Sequence, residues 1–321
     1  MSCRQAPIVI VGQPRSGSTI TTRILNAFDS VFLINDFYAL QAIDAEKLWH
    51  RRDPSSSARI AEIVLKRVAV RATQESGKTL EQSIELSSQG LAKVSAFARG
   101  DWPAGTPWYE VMGAVLTKAA QEAGCSVWGW NTPQDHLHLE RIFNAWPEAQ
   151  ILFVMRDPND VLRSYKNASG PWHDARRYNP ATIGYAWRVA ARNFRAWSEQ
   201  RPGRVEFLWY ESLVSDTEAS VDMLSKWAGL PCQAIALEGF GNNSSHHPNR
   251  TSREVTDAEV WLAHRIIGQE IEKLGFLSMP KPSLSGIFHL TGVILRSSLF
   301  IGTQLFTDRD RRKRALNFLR G

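Results

Sequence analysis

The chain predicts an α/β protein, a parallel β-sheet flanked by helices with a helical insertion after the first strand–helix unit. Three observations carry this. Ile8 to Val11 form a short apolar run suited to a buried parallel strand, and a glycine-bracketed loop and a helical pattern (Thr19, Ile20, Ile24, Leu25) follow at once. Further strand-like runs near 126–130, 150–156 and 204–209 each lead into a helical pattern, and strands alternating with helices imply parallel pairing through crossovers. The composition is that of an ordinary globular domain, with 43% hydrophobic and 22% charged residues over 321 positions.

The first element sets the functional reading. Gly12 and Gly17 bracket a tight loop, Gln13-Pro14-Arg15-Ser16-Gly17-Ser18-Thr19, between strand and helix. Such a loop turns free backbone N–H groups and the positive helix end toward one anion. The spacing is that of the P-loop motif G-x-x-x-x-G-K-[ST] and Thr19 keeps its final hydroxyl, but Ser18 stands where the lysine belongs, and the cation has moved to Arg15. The loop suits a phosphate-like group yet lacks the lysine that reaches the terminal phosphates of ATP. A plain glycine turn of an α/β domain is the bland reading; the arginine and the hydroxyls favour anion binding.

The helical stretch 39–123 comes next. Ile60, Ile63, Val64 and Val68, then Leu80, Ile84, Leu91 and Val94, recur at helical spacing, with Gly77 as a break. This stretch is expected to cap the sheet's carboxyl edge. After the strand at 150–156, Asp157 is a good N-cap, Pro158 suits the first helical position, and Arg156 stands at the strand's carboxyl end, where open α/β sheets bind ligands. Ser164 lies about two turns past the cap on nearly the same helix face as Asp157, so arginine and hydroxyl could share a second phosphate; a sheet-edge arginine and a solvent-facing serine are the alternative. Residues 235–256 read as a loop, and residues 1–283 as one domain followed by a tail, 284–321.

Together these segments resemble the sulfotransferase family that uses 3′-phosphoadenosine 5′-phosphosulfate, most nearly its bacterial carbohydrate-type branch. The likeness runs from residue 7 to about 276. Asn131-Thr132-Pro133 resembles the family's Lys-Thr-Pro element with asparagine for lysine, and Trp209-Tyr210-Glu211-Ser212-Leu213 its Tyr-Glu-x-Leu segment. The resemblance implies a donor held by Gly12, Arg15, Ser16, Gly17, Ser18 and Thr19 at its 5′ side, by Arg156 and Ser164 at its 3′-phosphate, and by Tyr210 and Arg253. It implies Arg15 as the group that stabilises the leaving oxygen, Asp36 as the base, no required metal, and a glycan or glycoconjugate hydroxyl (or an amine) as acceptor. Asp36 could instead cap the helix starting near Tyr38, with His173 and Asp174 in reserve. Trp102, Trp108, Trp128, Trp130 and Trp172 are candidates for stacking on an acceptor ring, although packing explains most tryptophans. Two other readings stay open: a P-loop nucleotide kinase, and a catalytically inactive membrane-surface adaptor on the same fold.

Net charge is +6, which suits a polyanionic donor. No nucleic-acid recognition module accompanies it. Cys3, Cys125 and Cys232 show no disulfide or zinc spacing, and the first strand begins too early for a signal peptide, so a cytoplasmic site is expected. The apolar stretch 284–306 is broken by His289 and Arg296 and followed by six basic residues between 309 and 320. It reads as a terminal helix docked on the body or on a second subunit, or as an amphipathic helix on the inner face of a membrane, rather than a span.

Overall fold

A computed structural model of the chain describes residues 3–72, 86–168, 175–231, 253–273 and 280–307. Strand β1 (Ile8–Gly12) leads through the glycine loop into α1 (Ser18–Asn26), and β2 (Val31–Ile34) follows. Helices α2 (Ala39–Ala45), α3 (Pro54–Ala72), α4 (Ser88–Ala98) and α5 (Trp108–Glu122) precede β3 (Val127–Asn131). Then come α6 (Leu139–Ala145), β4 (Gln150–Met155), α7 (Pro158–Lys166), α8 (Pro180–Gln200) and β5 (Val205–Trp209). Helices α9 (Tyr210–Ser215), α10 (Thr217–Ala228), α11 (Asp257–Ile267), α12 (Gln269–Lys273) and α13 (Leu284–Thr307) complete the elements among the described residues.

The five strands form one parallel sheet in the order β2-β3-β1-β4-β5, as the alternating pattern predicts. Side chains alternate across it. Val9, Val11, Phe32, Trp128, Trp130 and Phe153 face one layer, where α2 to α5 supply Leu40, Val64, Val68, Val111 and Val115. The helices expected at the sheet edge therefore cover a face. Ile8, Ile10, Leu33, Leu152, Val154 and Leu208 face the other layer, against Ile24, Leu25, Leu213 and Leu224. A third cluster joins α7, α8, α11 and α13.

Strand β2 is absent from the sequence expectation. It is four residues long and fully buried, so it shows no alternation. The Asn26 side chain closes its free edge: its amide nitrogen donates to Leu33 O and its oxygen accepts from Leu33 N, each at 2.8 Å. Among the described residues, no helix is long and apolar enough to cross a membrane.

The topology sets two loops side by side. The chain moves from β1 to the β3 side and then crosses to β4, so the sheet's switch point lies between β1 and β4. Gly12 is in register with Val154, which brings the glycine loop beside Arg156.

Candidate functional site

The loop after β1 is built for close approach. A Cβ on Gly12 would lie 2.2 Å from Val154 O, and its φ of 137° suits glycine alone. Gly17 closes the loop at φ 92°, and Arg15 adopts a left-handed φ of 73°, a conformation a side chain rarely takes. No acidic residue and no side-chain cap neutralises the start of α1. The Gln13 amide and Ser16 Oγ are buried in this loop with no protein hydrogen-bond partner.

The segment after β4 closes on this loop. Asp157 caps α7 by accepting from Asn159 N at 2.7 Å, and Pro158 opens the helix, as the sequence predicts. Trp187 Nε1 donates to Arg156 O at 3.0 Å and fixes the backbone. The Arg156 guanidinium lies 4.5 Å from the Tyr210 ring centroid and 3.4 Å from Asp160, and its Nε is buried without a partner. Tyr210 in turn packs under the glycine loop, since a Cβ on Gly17 would fall 2.2 Å from its Cδ2. Arg15 Nε donates to Ser164 Oγ at 3.2 Å. Two sets of contacts thus link the glycine loop to the segments after β4 and β5: Arg15 to Ser164, and Gly17 to Tyr210 and through it to Arg156. Ser164 is 5% exposed, which removes the solvent-facing alternative.

Glu211 continues the support. Its Oε1 accepts from Asp157 N at 3.0 Å, and burial raises its carboxyl above the usual range.

A second wall comes from residues 35–38 and 131–135. Asp36 (φ 51°) and Tyr38 (φ 48°) are both left-handed, so this short segment is strained twice. It is held across the sheet. Phe37 N donates to Asn131 O at 3.1 Å, Tyr38 N to Thr132 Oγ1 at 3.0 Å, and Asn131 Nδ2 to Asn35 Oδ1 at 2.5 Å. Asn131 Nδ2 also reaches Ser18 Oγ at 3.3 Å, which joins this wall to the glycine loop. Asp36 is half-buried. It is not the helix cap, because Tyr38 occupies the N-cap of α2 and that helix has no side-chain cap.

Beneath the wall lies a buried carboxylate that the sequence reading passed over. Asp135 accepts from Trp130 Nε1 at 2.7 Å and Gln41 Nε2 at 2.5 Å. Burial pushes its carboxyl up to about 7, opposed by the hydrogen bonds from Trp130, Gln41 and Thr132. The neighbouring His136 and His138 are held down to about 3 and about 4 by burial. The signal for Asp135 was Thr132-Pro133-Gln134-Asp135, an [ST]-x-x-[DE] helix start.

Gly12, Arg15, Ser16, Gly17, Ser18, Arg156, Ser164 and Tyr210 meet at one place. Thr19 is exposed in the first turn of α1, whereas Ser18 is buried and faces Asn131. Arg253 is exposed, and its backbone is clamped to the end of α7, where its N donates to Asn167 Oδ1 at 2.7 Å. Trp108, Trp128 and Trp130 are at most 6% exposed and pack edge-on with Trp146 in the core, so they offer no face to an acceptor. Trp172, His173 and Asp174 lie outside the described residues.

A family model described as "Sulfotransferase family" matches residues 7–234. No curated protein matches the chain. Among solved structures, the chain is similar to sulfotransferase STF9 from Mycobacterium avium (15% identity, 86% of this chain and 79% of that one, TM-score 0.49). It is also similar to the sulfotransferase domain of the Synechococcus PCC 7002 olefin synthase (16% identity, 94% and 96% coverage, TM-score 0.48).

Proposed function

The chain belongs to the sulfotransferase family, and from that premise we propose that it moves a sulfuryl group from 3′-phosphoadenosine 5′-phosphosulfate to a hydroxyl of a glycan or glycoconjugate. One observation supports the donor assignment: Arg15 on the glycine loop donates to Ser164 on α7, which brings the two candidate anion-binding elements together. The unpartnered donors there, Ser16 Oγ, Gln13 Nε2 and Arg156 Nε, suit a ligand with negative charge at both ends.

The donor supplies an activated sulfuryl group whose bridging oxygen gains negative charge as its bond breaks. The chain's residues then divide the work. The amides of residues 17–19, the Ser16 hydroxyl and the Arg15 guanidinium hold the 5′ anion and neutralise the developing charge, the Ser16 amide being taken by Gln13 O. Arg156 and Ser164 hold the 3′-phosphate, with Tyr210 bracing both the loop and the Arg156 guanidinium. Asp36 takes the proton of the acceptor hydroxyl, held for that role by the strained 35–38 segment. Asp135 positions that segment through Thr132 and Gln41. Free thiols at Cys3 and Cys125 suit the reducing, cytoplasmic setting that belongs to this proposal.

A kinase reading has less support, because Ser18, at the lysine position, is buried and engaged by Asn131. Transfer of labelled sulfate from the donor to extracted polysaccharides and glycolipids tests the acceptor class. Label in a glycan fraction is the expected result; label confined to small phenols or proteins would overturn it.

A further inference from the structure

We propose that the outward face of α13 seats the protein on an anionic lipid surface. The helix has two apolar faces. Leu290 and Val293 are buried against the body, with Val293 in the cluster that holds Ala263 and Ile267, while Ser297 Oγ accepts from Asn179 Nδ2 at 2.9 Å. The opposite face is bare: Leu284 is 79% exposed, Phe288 80%, Leu295 59% and Leu299 70%. Their spacing puts all four within about 60° of arc, one continuous stripe along the helix. Among the described residues eight large apolar side chains are exposed, and five of them, counting Ile287, lie on α13. That concentration marks a contact surface rather than scattered exposure.

Charge chooses the occupant. No aspartate or glutamate lies between Glu272 and Asp308. Arg296 is exposed about 60° around the helix from the stripe's edge, and Arg176 stacks on Phe300 at 4.3 Å one turn further along. The residues that follow, 308–321, carry six basic groups against two acidic ones, a net of +4. A second copy of this helix would offer the basic flank no carboxylate to pair with, since none lies between Glu272 and Asp308. An anionic bilayer satisfies both features, with acyl chains for the stripe and headgroups for the arginines.

The test is flotation of the full chain with vesicles of phosphatidylcholine plus phosphatidylserine, and of phosphatidylcholine alone. Binding to the anionic vesicles at least about tenfold stronger is expected, weakened by salt. The double variant Phe288→Ser, Leu295→Ser should lose about tenfold or more of that binding with its circular dichroism unchanged, since both side chains face solvent. Absence of vesicle binding, or equal binding by the variant, overturns the proposal. So does a dimer in sedimentation that the double variant dissociates, which would give the stripe to a second copy.

Discussion

Gly17→Ala tests whether Tyr210 is seated under the glycine loop. Two penalties add at this position. The φ of 92° is strained for any side chain, about 1–2 kcal/mol. The new methyl would also lie 2.2 Å from Tyr210 Cδ2 and 2.8 Å from Cε2, so the ring must move by more than 1 Å to restore ordinary contact. The ring cannot move freely, because Arg156 stacks on it at 4.5 Å. Overpacking of this kind costs about 1–3 kcal/mol. Gly105 separates the two penalties: its φ is 91°, and a methyl there meets nothing within 4 Å. Gly105→Ala should therefore show only the backbone penalty in urea unfolding, while Gly17→Ala is less stable than Gly105→Ala by about 1–3 kcal/mol. Gly17→Ala should also weaken binding of adenosine 3′,5′-bisphosphate, and Gly105→Ala should not. Equal destabilisation by the two substitutions, with bisphosphate affinity intact, would refute the seating of Tyr210 and its link to Arg156.

Three other perturbations probe the remaining parts. Arg156→Ala should weaken bisphosphate binding by about 1.5–3 kcal/mol in calorimetry while 5′-AMP affinity barely changes; Asp160 keeps Arg163 as a partner, so the fold should hold, and equal losses for both nucleotides would remove the 3′ assignment. Asp36→Asn should cut turnover by at least about a hundredfold with donor affinity unchanged. Asparagine tolerates the left-handed φ of 51° as aspartate does, so near-normal turnover would move the base elsewhere, for instance to His173. For Asp135, burial raises the folded carboxyl from 3.8 to about 7, so its contribution to stability is complete below about pH 4 and is lost as pH rises through about 7. The depressed His136 and His138 act in the opposite sense, their contribution fading as pH falls below about 6.5, so the Asp135 effect is read as a difference. The stability margin of the native chain over Asp135→Asn should shrink by up to about 4 kcal/mol between pH 4 and 7, and a constant margin would show that Asp135 stays ionised.

What the sequence revealed was what short-range rules control. Gly12, Gly17 and the Asp157-Pro158 helix start follow from local backbone and capping preferences, and both elements appear where those preferences put them. Parallel pairing then brings their ends together, so the Arg15–Ser164 bond is a consequence of topology as much as of motif. Contacts spanning long sequence separations were not legible. Tyr210 could be matched to a segment, but not seated beneath Gly17, 193 positions away. The link from Asp135 to Gln41 spans 94 positions, and the carboxylate looked like an ordinary helix-start residue. Strand β2 was too short and too uniformly buried to show a period. The tryptophans misled for a physical reason: Trp128 and Trp130 lie on β3, close in sequence to the site wall, yet their rings point into the layer beneath α5.

The most direct measurement is a calorimetric titration of the full chain with adenosine 3′,5′-bisphosphate, 5′-AMP and magnesium ATP. A cleft with anion sites at Arg15 and Arg156 should bind the bisphosphate without metal, more tightly than 5′-AMP by about 1.5–3 kcal/mol, the scale of the added charged hydrogen bonds. Equal affinity for bisphosphate and 5′-AMP, or a preference for magnesium ATP, would contradict it.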